Sequence, residues 1–140
     1  MENKFDQLSQ EIATFLNRYA RFAKRYGLNL NELRFLYYLA QHGQAAPGEI
    51  GSHWSLAKQT VTSLFNKFRR QGLVEATIDP HDARRRLLTL TAAGQDFLKP
   101  LLADLAAAET AASQTVGDAN FDQLLTGLAA LSAALGDNLA

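Results

Sequence analysis

Residues 58–91, KQTVTSLFNKFRRQGLVEATIDPHDARRRLLTLT, join one helical pattern to two strand-like runs, and this combination decides the fold. Up to Gly72, which is typical of a helix end, apolar residues recur every three or four positions. The runs 73–78 and 86–90 are rich in strand formers, and a proline between two aspartates separates them. The stretch therefore predicts a helix followed by a β-hairpin with a basic, exposed tip.

The sequence before this stretch predicts three further helices. Apolar residues from Phe5 to Tyr26 alternate steps of three and four, which is typical of a long amphipathic helix ending at Gly27. Asn29 and Glu32 have the spacing of a capping box at the start of a second helix. Pro47 suits the first turn of a short third helix.

After the hairpin, two more helices are expected. Thr91 is a candidate cap for a helix that contains Pro100, and a last helix runs from about residue 121 to 135. The predicted fold class is mainly α with a small β-wing. Residues 28–94 form a winged helix-turn-helix unit, and the helical segments 1–27 and 95–140, which lack cores of their own, are expected to pack together.

The charges are segregated along the chain. The 140 residues include fourteen basic and fourteen acidic side chains, so the formal net charge is zero. Residues 58–86 nevertheless have a net charge of +4, whereas residues 99–140 have a net charge of −4. The positive segment favours a nucleic-acid partner, and the acidic segment is expected to face away from it.

Composition excludes several classes of protein. The chain has no cysteine, which excludes thiolate zinc sites, iron–sulfur clusters and thiol-based redox sensing. No apolar run approaches the roughly 18 residues of a membrane span, and the first residues lack the pattern of a secretory signal. We therefore expect a cytoplasmic protein that has no membrane partner.

Motifs of catalysis and metal binding are missing from the sequence. The three histidines, His42, His53 and His81, lie on different predicted elements and lack the spacing of metal ligands. There is no glycine-rich phosphate loop and no GxSxG motif. A zinc site that combines His42 or His53 with a carboxylate is the less favoured alternative. We predict that the protein is not an enzyme and that it carries neither a cofactor nor a metal.

The helix predicted at residues 58–70 has a polar face opposite its apolar stripe. Lys58, Thr62 and Asn66 are four residues apart and therefore project from one side. A helix that enters the major groove needs such a face, because amide, hydroxyl and ammonium groups can contact base edges. The alternative is an ordinary solvated face. The predicted DNA-contacting residues of this helix are Lys58, Gln59, Thr62, Ser63, Asn66 and Lys67.

Basic residues beyond this face extend the predicted DNA contacts. Lys67, Arg69 and Arg70 are expected to contact phosphates, which fix the register of a protein on DNA. At the tip of the hairpin, consecutive arginines repel one another unless an anion lies near, and the negative potential of a narrow minor groove attracts arginine. The alternative is a solvated charge run. The predicted wing contacts are Arg84, Arg85 and Arg86.

Five short motifs lie between residues 28 and 94: Leu28-Asn29-x-x-Glu32, Lys58-Gln59-Thr60-Val61-Thr62, Gly72-Leu73-Val74, Asp79-Pro80-x-Asp82-x-Arg84 and Leu88-Thr89-Leu90-Thr91-x-x-Gly94. Together they resemble the signature of the MarR/SlyA family of bacterial transcriptional regulators, and the predicted order of elements fits that family over the whole chain. One departure is Ala57, since the family usually has a Ser or Asp there to cap the recognition helix.

The resemblance implies a ligand-responsive repressor that binds a pseudo-palindromic operator in double-stranded DNA as a homodimer. Residues 1–27 and 95–140 would form the dimerisation region. Arg84 would enter the minor groove, and Asp82 would orient it. The alternatives are a winged-helix module that binds protein and a small-molecule carrier that does not bind DNA.

The resemblance also implies a pocket for a small aromatic or phenolic effector, because relatives commonly bind such ligands between the dimer helices and the DNA-binding unit. Aromatic side chains would line the pocket and an arginine would pair with an anionic ligand. The alternative is that the rings belong to the core. The candidate pocket residues are Arg18, Tyr19, Phe22, Phe35, Tyr38 and Trp54.

Overall fold

The computed structural model describes residues 3–140 and confirms a mainly helical fold with a small β-wing. The chain forms two compact units, one ending at Leu101 and one beginning at Leu102. Within the described residues, the elements in chain order are α1 (Lys4–Lys24), α2 (Leu30–His42), β1 (Gln44–Ala45), α3 (Pro47–Trp54), α4 (Lys58–Arg70), β2 (Val74–Asp79), β3 (Asp82–Leu90), α5 (Ala92–Val116) and α6 (Asp118–Leu139).

The predicted helix ends are confirmed where local signals are strong. Gly72 has a φ of +75°, and the backbone N–H of Leu73 donates to the carbonyl of Phe68 at 2.9 Å, which closes α4 with a Schellman motif. Gly27 follows α1 in the same way. At the start of α2, Asn29 and Glu32 form the predicted capping box, with both hydrogen bonds at 2.8 Å.

The core of the first unit forms where α2, α3 and α4 present their apolar faces. Phe35 of α2 and Phe68 of α4 are fully buried, with ring centroids 5.9 Å apart. Ile50 contributes the buried residue of α3, and Val61 lies beneath the first turn of α4. Burial of the apolar stripe leaves the opposite face of α4 in solvent, which is the arrangement that the hydrophobic pattern predicts.

The sheet has three antiparallel strands in the order β1-β3-β2, so the predicted two-stranded wing gains a short third strand. β1 has only two residues, too few to show a period along the sequence. β3 begins at Asp82, four residues before the predicted start. The ladder shifts at the tip, because Ile78 pairs with Arg86 whereas Asp79 pairs with Asp82.

Thr91 joins the wing to α5, as predicted. Its hydroxyl donates to the carbonyl of Gly72 at 2.6 Å and accepts from the N–H of Gly94 at 3.0 Å, so it caps α5 and holds the end of α4. A methyl group at Gly94 would overlap the backbone carbonyl of Leu73. Glycine therefore permits the close approach between α5 and the start of the hairpin.

The second unit contains the end of α5 and all of α6. No residue of α6 is buried within the described chain, although the helix carries large apolar side chains. Within residues 3–140, no helix combines the length and apolar character that crossing a membrane requires. The exposed apolar residues of the second unit are Val116, Phe121, Leu124, Leu125, Leu128, Leu135 and Leu139.

Candidate nucleic-acid interface

α4 presents its predicted DNA-contacting face to solvent. Lys58, Gln59, Thr62 and Ser63 are exposed, whereas Asn66 is half-buried. The Thr62 hydroxyl donates to the carbonyl of Lys58 at 3.0 Å, so its oxygen is left to accept a hydrogen bond from a base. The first two turns of α4 thus offer amide, ammonium and hydroxyl groups without any apolar interruption on this face.

The start of α4 lacks the capping bond that such helices usually have. Ala57 is the N-cap residue, and it has no side-chain hydrogen bond to the first turn. The free N–H groups of this turn lie next to Lys58 and Gln59. Backbone donors, one ammonium and one amide therefore occur together at the end of the helix that a winged helix-turn-helix brings to the major groove.

Lys67 differs from the other basic residues of α4. Its ammonium forms an ion pair with Oε2 of Glu32, a buried residue in the first turn of α2. The Lys67 side chain remains 45% exposed, whereas the side chain of Glu32 is only 6% exposed. The predicted phosphate contact of Lys67 stays a prediction, but its charge already has a partner within the chain.

The tip of the wing is shaped by two aspartates. Asp79 accepts a hydrogen bond from the backbone N–H of His81 at 2.8 Å, and Asp82 accepts one from the N–H of Arg84 at 3.0 Å. Both are short-range turns of the kind that Asp side chains stabilise. Asp82 therefore contacts the backbone of Arg84, and the Arg84 side chain is exposed.

The three wing arginines do not have equivalent surroundings. Arg85 forms an ion pair with Glu49 in the first turn of α3, and its Nη1 lies 3.4 Å from Oδ2 of Asp79. Among the described residues, no ion pair is found for the exposed Arg84 and Arg86. The structure thus divides the arginine run into one residue that connects the wing to α3 and two that extend into solvent.

The candidate pocket residues fall into three separate environments. Phe35 is fully buried in the core against Phe68. Arg18 is exposed on α1, where Tyr19 and Phe22 are half-buried. The third environment contains Tyr38 and Trp54.

Tyr38 and Trp54 both contact His53, a residue that was not predicted to line the pocket. The His53 ring centroid lies 5.1 Å from Tyr38 and 4.5 Å from Trp54. Arg34, also missed, has its guanidinium carbon 5.1 Å above the Trp54 ring. Within the described chain, the indole N–H of Trp54 is a buried donor without an acceptor. No spacing rule along the sequence predicts this cluster, because its members come from two helices.

In the part of the chain that the structure describes, no group of three or more His, Cys, Asp or Glu side chains could hold a metal ion. His42 stacks on Tyr38 with ring centroids 4.0 Å apart, and His53 lies on the other helix of the same cluster. The zinc alternative for His42 or His53 therefore finds no ligand set among residues 3–140.

Comparison with known proteins places this geometry in a family. A family model described as the MarR family matches residues 26–85, which include α2 to α4 and most of the wing. NMB1585, a MarR family regulator from Neisseria meningitidis, is 32% identical, with a TM-score of 0.88 over 99% of this chain and 97% of that chain. The chain belongs to the MarR family. This family consists of winged-helix transcription regulators that bind DNA, and they are not enzymes.

More distant solved structures share the fold. The structure of Staphylococcus aureus MepR bound to DNA has a TM-score of 0.77 at 18% identity and covers 95% of this chain and 99% of its own. NadR in complex with 4-hydroxyphenylacetate also has a TM-score of 0.77 at 18% identity, over 94% of this chain and 93% of its own. No curated protein matches the sequence significantly.

Proposed function

We propose that this MarR family protein is a repressor that binds a pseudo-palindromic operator as a homodimer and is released by a small effector. The observation that carries the proposal is the two-faced character of α4. Val61, Leu64 and Phe68 are buried, while the opposite face of the first two turns is polar and exposed. If the helix had no partner, it would not need side chains that can hydrogen-bond to base edges on successive turns of one side.

On this proposal α4 lies in the major groove. Gln59 and Asn66 have amides that can pair bidentately with adenine, and Lys58 can contact guanine or a phosphate. Thr62 and Ser63 supply shorter contacts to base edges or to the backbone. Because these side chains extend along more than two turns of α4, one helix would contact several successive base pairs.

The wing is proposed to follow the adjacent minor groove. Arg84 is exposed at the tip, and the bond between its backbone N–H and Asp82 fixes the turn that carries it. Arg86 would add a phosphate contact. An arginine in a narrow minor groove responds to groove width rather than to individual bases, so the wing would favour A·T-rich flanks.

A second copy of the chain is the proposed partner of the terminal helices. We assign DNA binding to residues 28–94 and dimer contacts to residues 1–27 and 95–140. The support is the apolar surface of α6, which is exposed in the single chain although it includes Leu124, Leu125 and Leu128. Burial of these side chains between two copies would stabilise the dimer and would set the distance between two recognition helices.

The effector is proposed to be a small aromatic or phenolic compound. The residues that the sequence predicted to line the pocket are Arg18, Tyr19, Phe22, Phe35, Tyr38 and Trp54. Among them, the arrangement around Trp54 best supports a binding site for such a compound. The buried indole N–H of Trp54 needs an acceptor, and Arg34 lies above the same ring. A carboxylate or phenolic oxygen would supply that acceptor, as the ligand named for NadR, 4-hydroxyphenylacetate, carries both groups. Repression would end if the effector favoured a dimer with the wrong spacing of recognition helices.

The experiment that tests the proposal is selection of bound fragments from a random pool of double-stranded DNA by the purified protein. We expect enrichment of an inverted repeat whose half-sites lie about one helical turn apart, or a multiple of that distance. Enrichment of a single half-site would contradict the dimer. If no sequence were enriched above the starting pool, sequence-specific DNA binding would be refuted, and a protein partner would become the favoured function.

A further inference from the structure

The ion pair between Lys67 and Glu32 joins the recognition helix to the beginning of α2. Glu32 is 4% exposed, and it is one of two charged residues in the buried core of the described chain. Its partner comes from 35 positions further along the sequence, so the pair is a tertiary contact rather than a local one. A carboxylate buried to this degree is stable as an ion only if its oxygens are paired.

Both oxygens of Glu32 are occupied. Oε1 accepts the backbone N–H of Asn29 at 2.8 Å, and Oε2 accepts the ammonium of Lys67. The side chain of Asn29 in turn accepts the N–H of Glu32 at 2.8 Å. Because the capping box holds this carboxylate at a fixed place, Lys67 is tied to the rigid first turn of α2 and not to a mobile surface group.

Lys67 and its neighbour Phe68 connect α4 to α2 at two adjacent positions. Phe68 stacks on Phe35, and the ammonium nitrogen of Lys67 lies 5.8 Å from the centre of the Phe68 ring. The apolar contact fixes the distance between the helices, while it permits α4 to rotate or slide. The ion pair next to it adds a directional restraint, since a displaced ammonium would leave Glu32 buried without a partner.

We infer that Lys67 is a positioning residue that sets the orientation of α4 in the major groove, and that it does not contact a phosphate. This inference rests on the proposed function of α4. The positioning role replaces the expected phosphate contact of Lys67. To reach DNA, the Lys67 ammonium would have to leave the buried carboxylate of Glu32 without a partner. The ammonium that is exposed and unpaired in the described chain at the opposite end of α4 is that of Lys58.

The salt dependence of operator binding distinguishes the two roles. Each phosphate that a protein neutralises contributes about 0.9 to the slope of log affinity against log salt concentration. We expect Lys67→Met to lower operator affinity by at least the roughly tenfold that a lost base contact costs, with an unchanged slope. The control Lys58→Met should reduce the slope by about 0.9 if Lys58 contacts a phosphate.

Variants at Glu32 complete the test. Glu32→Gln keeps an amide oxygen for the Asn29 N–H but removes the charge, so it should lower operator affinity as much as Lys67→Met does. The double variant should be no weaker than either single variant, and Lys67→Arg should retain wild-type affinity. Affinity for non-specific DNA should stay the same throughout, because no phosphate contact is lost. Circular dichroism melting identifies any variant that does not fold. If Lys67→Met does not fold, the salt slopes of operator binding by Lys67→Arg and Lys67→Gln decide between the two roles.

Two results would overturn the inference. A slope reduced by about 0.9 in Lys67→Met would assign Lys67 to a phosphate. Unchanged affinity in Lys67→Met, or tighter binding in Glu32→Gln, would show that the pair does not position α4. Absence of specific binding by the wild-type protein would instead refute the proposed function itself, and the inference with it.

Discussion

At the residue scale, the structure depends most on positions where the backbone itself makes a close contact. Gly94 lies against the carbonyl of Leu73, and Thr91 hydrogen-bonds across the same junction to Gly72. The sequence alone predicted the cap at Thr91 from its place before an apolar pattern. It could not predict why position 94 is glycine, because the reason is a carbonyl oxygen brought near by tertiary folding.

Gly94→Ala should therefore destabilise the protein, by about 1–3 kcal/mol, since a methyl group forces either the hairpin or α5 to move. The matched control is Gly48→Ala in α3, where an added methyl group meets no atom within 4 Å. That change should be neutral or slightly stabilising because alanine favours a helix. The measurement is denaturant unfolding of both variants. Equal stability of the two would contradict the close contact.

Ala57 is a second residue whose effect can be isolated. It is the N-cap of α4 and makes no side-chain bond to the first turn. Ala57→Ser should raise the free energy of unfolding by about 1 kcal/mol, because a serine oxygen can accept an N–H of that turn. Ala57→Val, which adds bulk without an acceptor, is the control and should give no gain. A gain in the valine variant of the same size would rule out capping as the cause.

At the element scale, local and long-range determinants separate clearly. The ends of α1, α2 and α4 were predictable because Gly27, Asn29 and Gly72 act through bonds to residues within one turn. β1 was missed because two residues carry no pattern. The ion pairs of Lys67 and Arg85 were also missed. From the sequence, a basic residue that pairs with a distant carboxylate cannot be distinguished from one that binds a phosphate.

The exposed arginine at the tip of the wing allows the role of this hairpin to be tested. Arg84→Ala should lower operator affinity about tenfold, the typical cost of one lost contact, and leave thermal stability unchanged, since the side chain is exposed. His81→Ala, another exposed change at the tip, is the control and should bind as the wild type does. Fluorescence anisotropy with labelled operator measures both affinities. An unaffected Arg84→Ala variant would remove the wing from the interface.

At the scale of the whole molecule, the net charge of zero includes a segment of +4 at residues 58–86 and a segment of −4 at residues 99–140. Such a distribution would keep non-specific attraction to DNA weak while it leaves α4 and the arginines at the tip of the wing positive. The fold class and the polar, exposed face of α4 could be predicted from the sequence, because amphipathic periodicity is a property of one element. The cluster around Trp54 could not, since Arg34, Tyr38 and Trp54 meet only after α2 and α3 pack.

The apolar surface of α6 gives the prediction for assembly. The wild-type protein should have a solution mass of twice 15.4 kDa by light scattering. Replacing Leu124 and Leu128 by glutamate, one turn apart on α6, should give a monomer that binds the operator weakly. Gln123→Glu adds a charge to the same helix at a polar position and should remain dimeric. A dimeric double variant would place the dimer interface elsewhere.

The proposed function requires that the polar face of α4 and the wing bind a specific DNA sequence. The most direct measurement compares the affinity of the purified protein for its selected operator with that for a scrambled duplex, across a series of salt concentrations. We predict operator affinity at least about a thousandfold higher at physiological salt, and a steep fall in both affinities as salt rises. Equal affinities for the two duplexes, or binding that barely changes with salt, would contradict the proposed function.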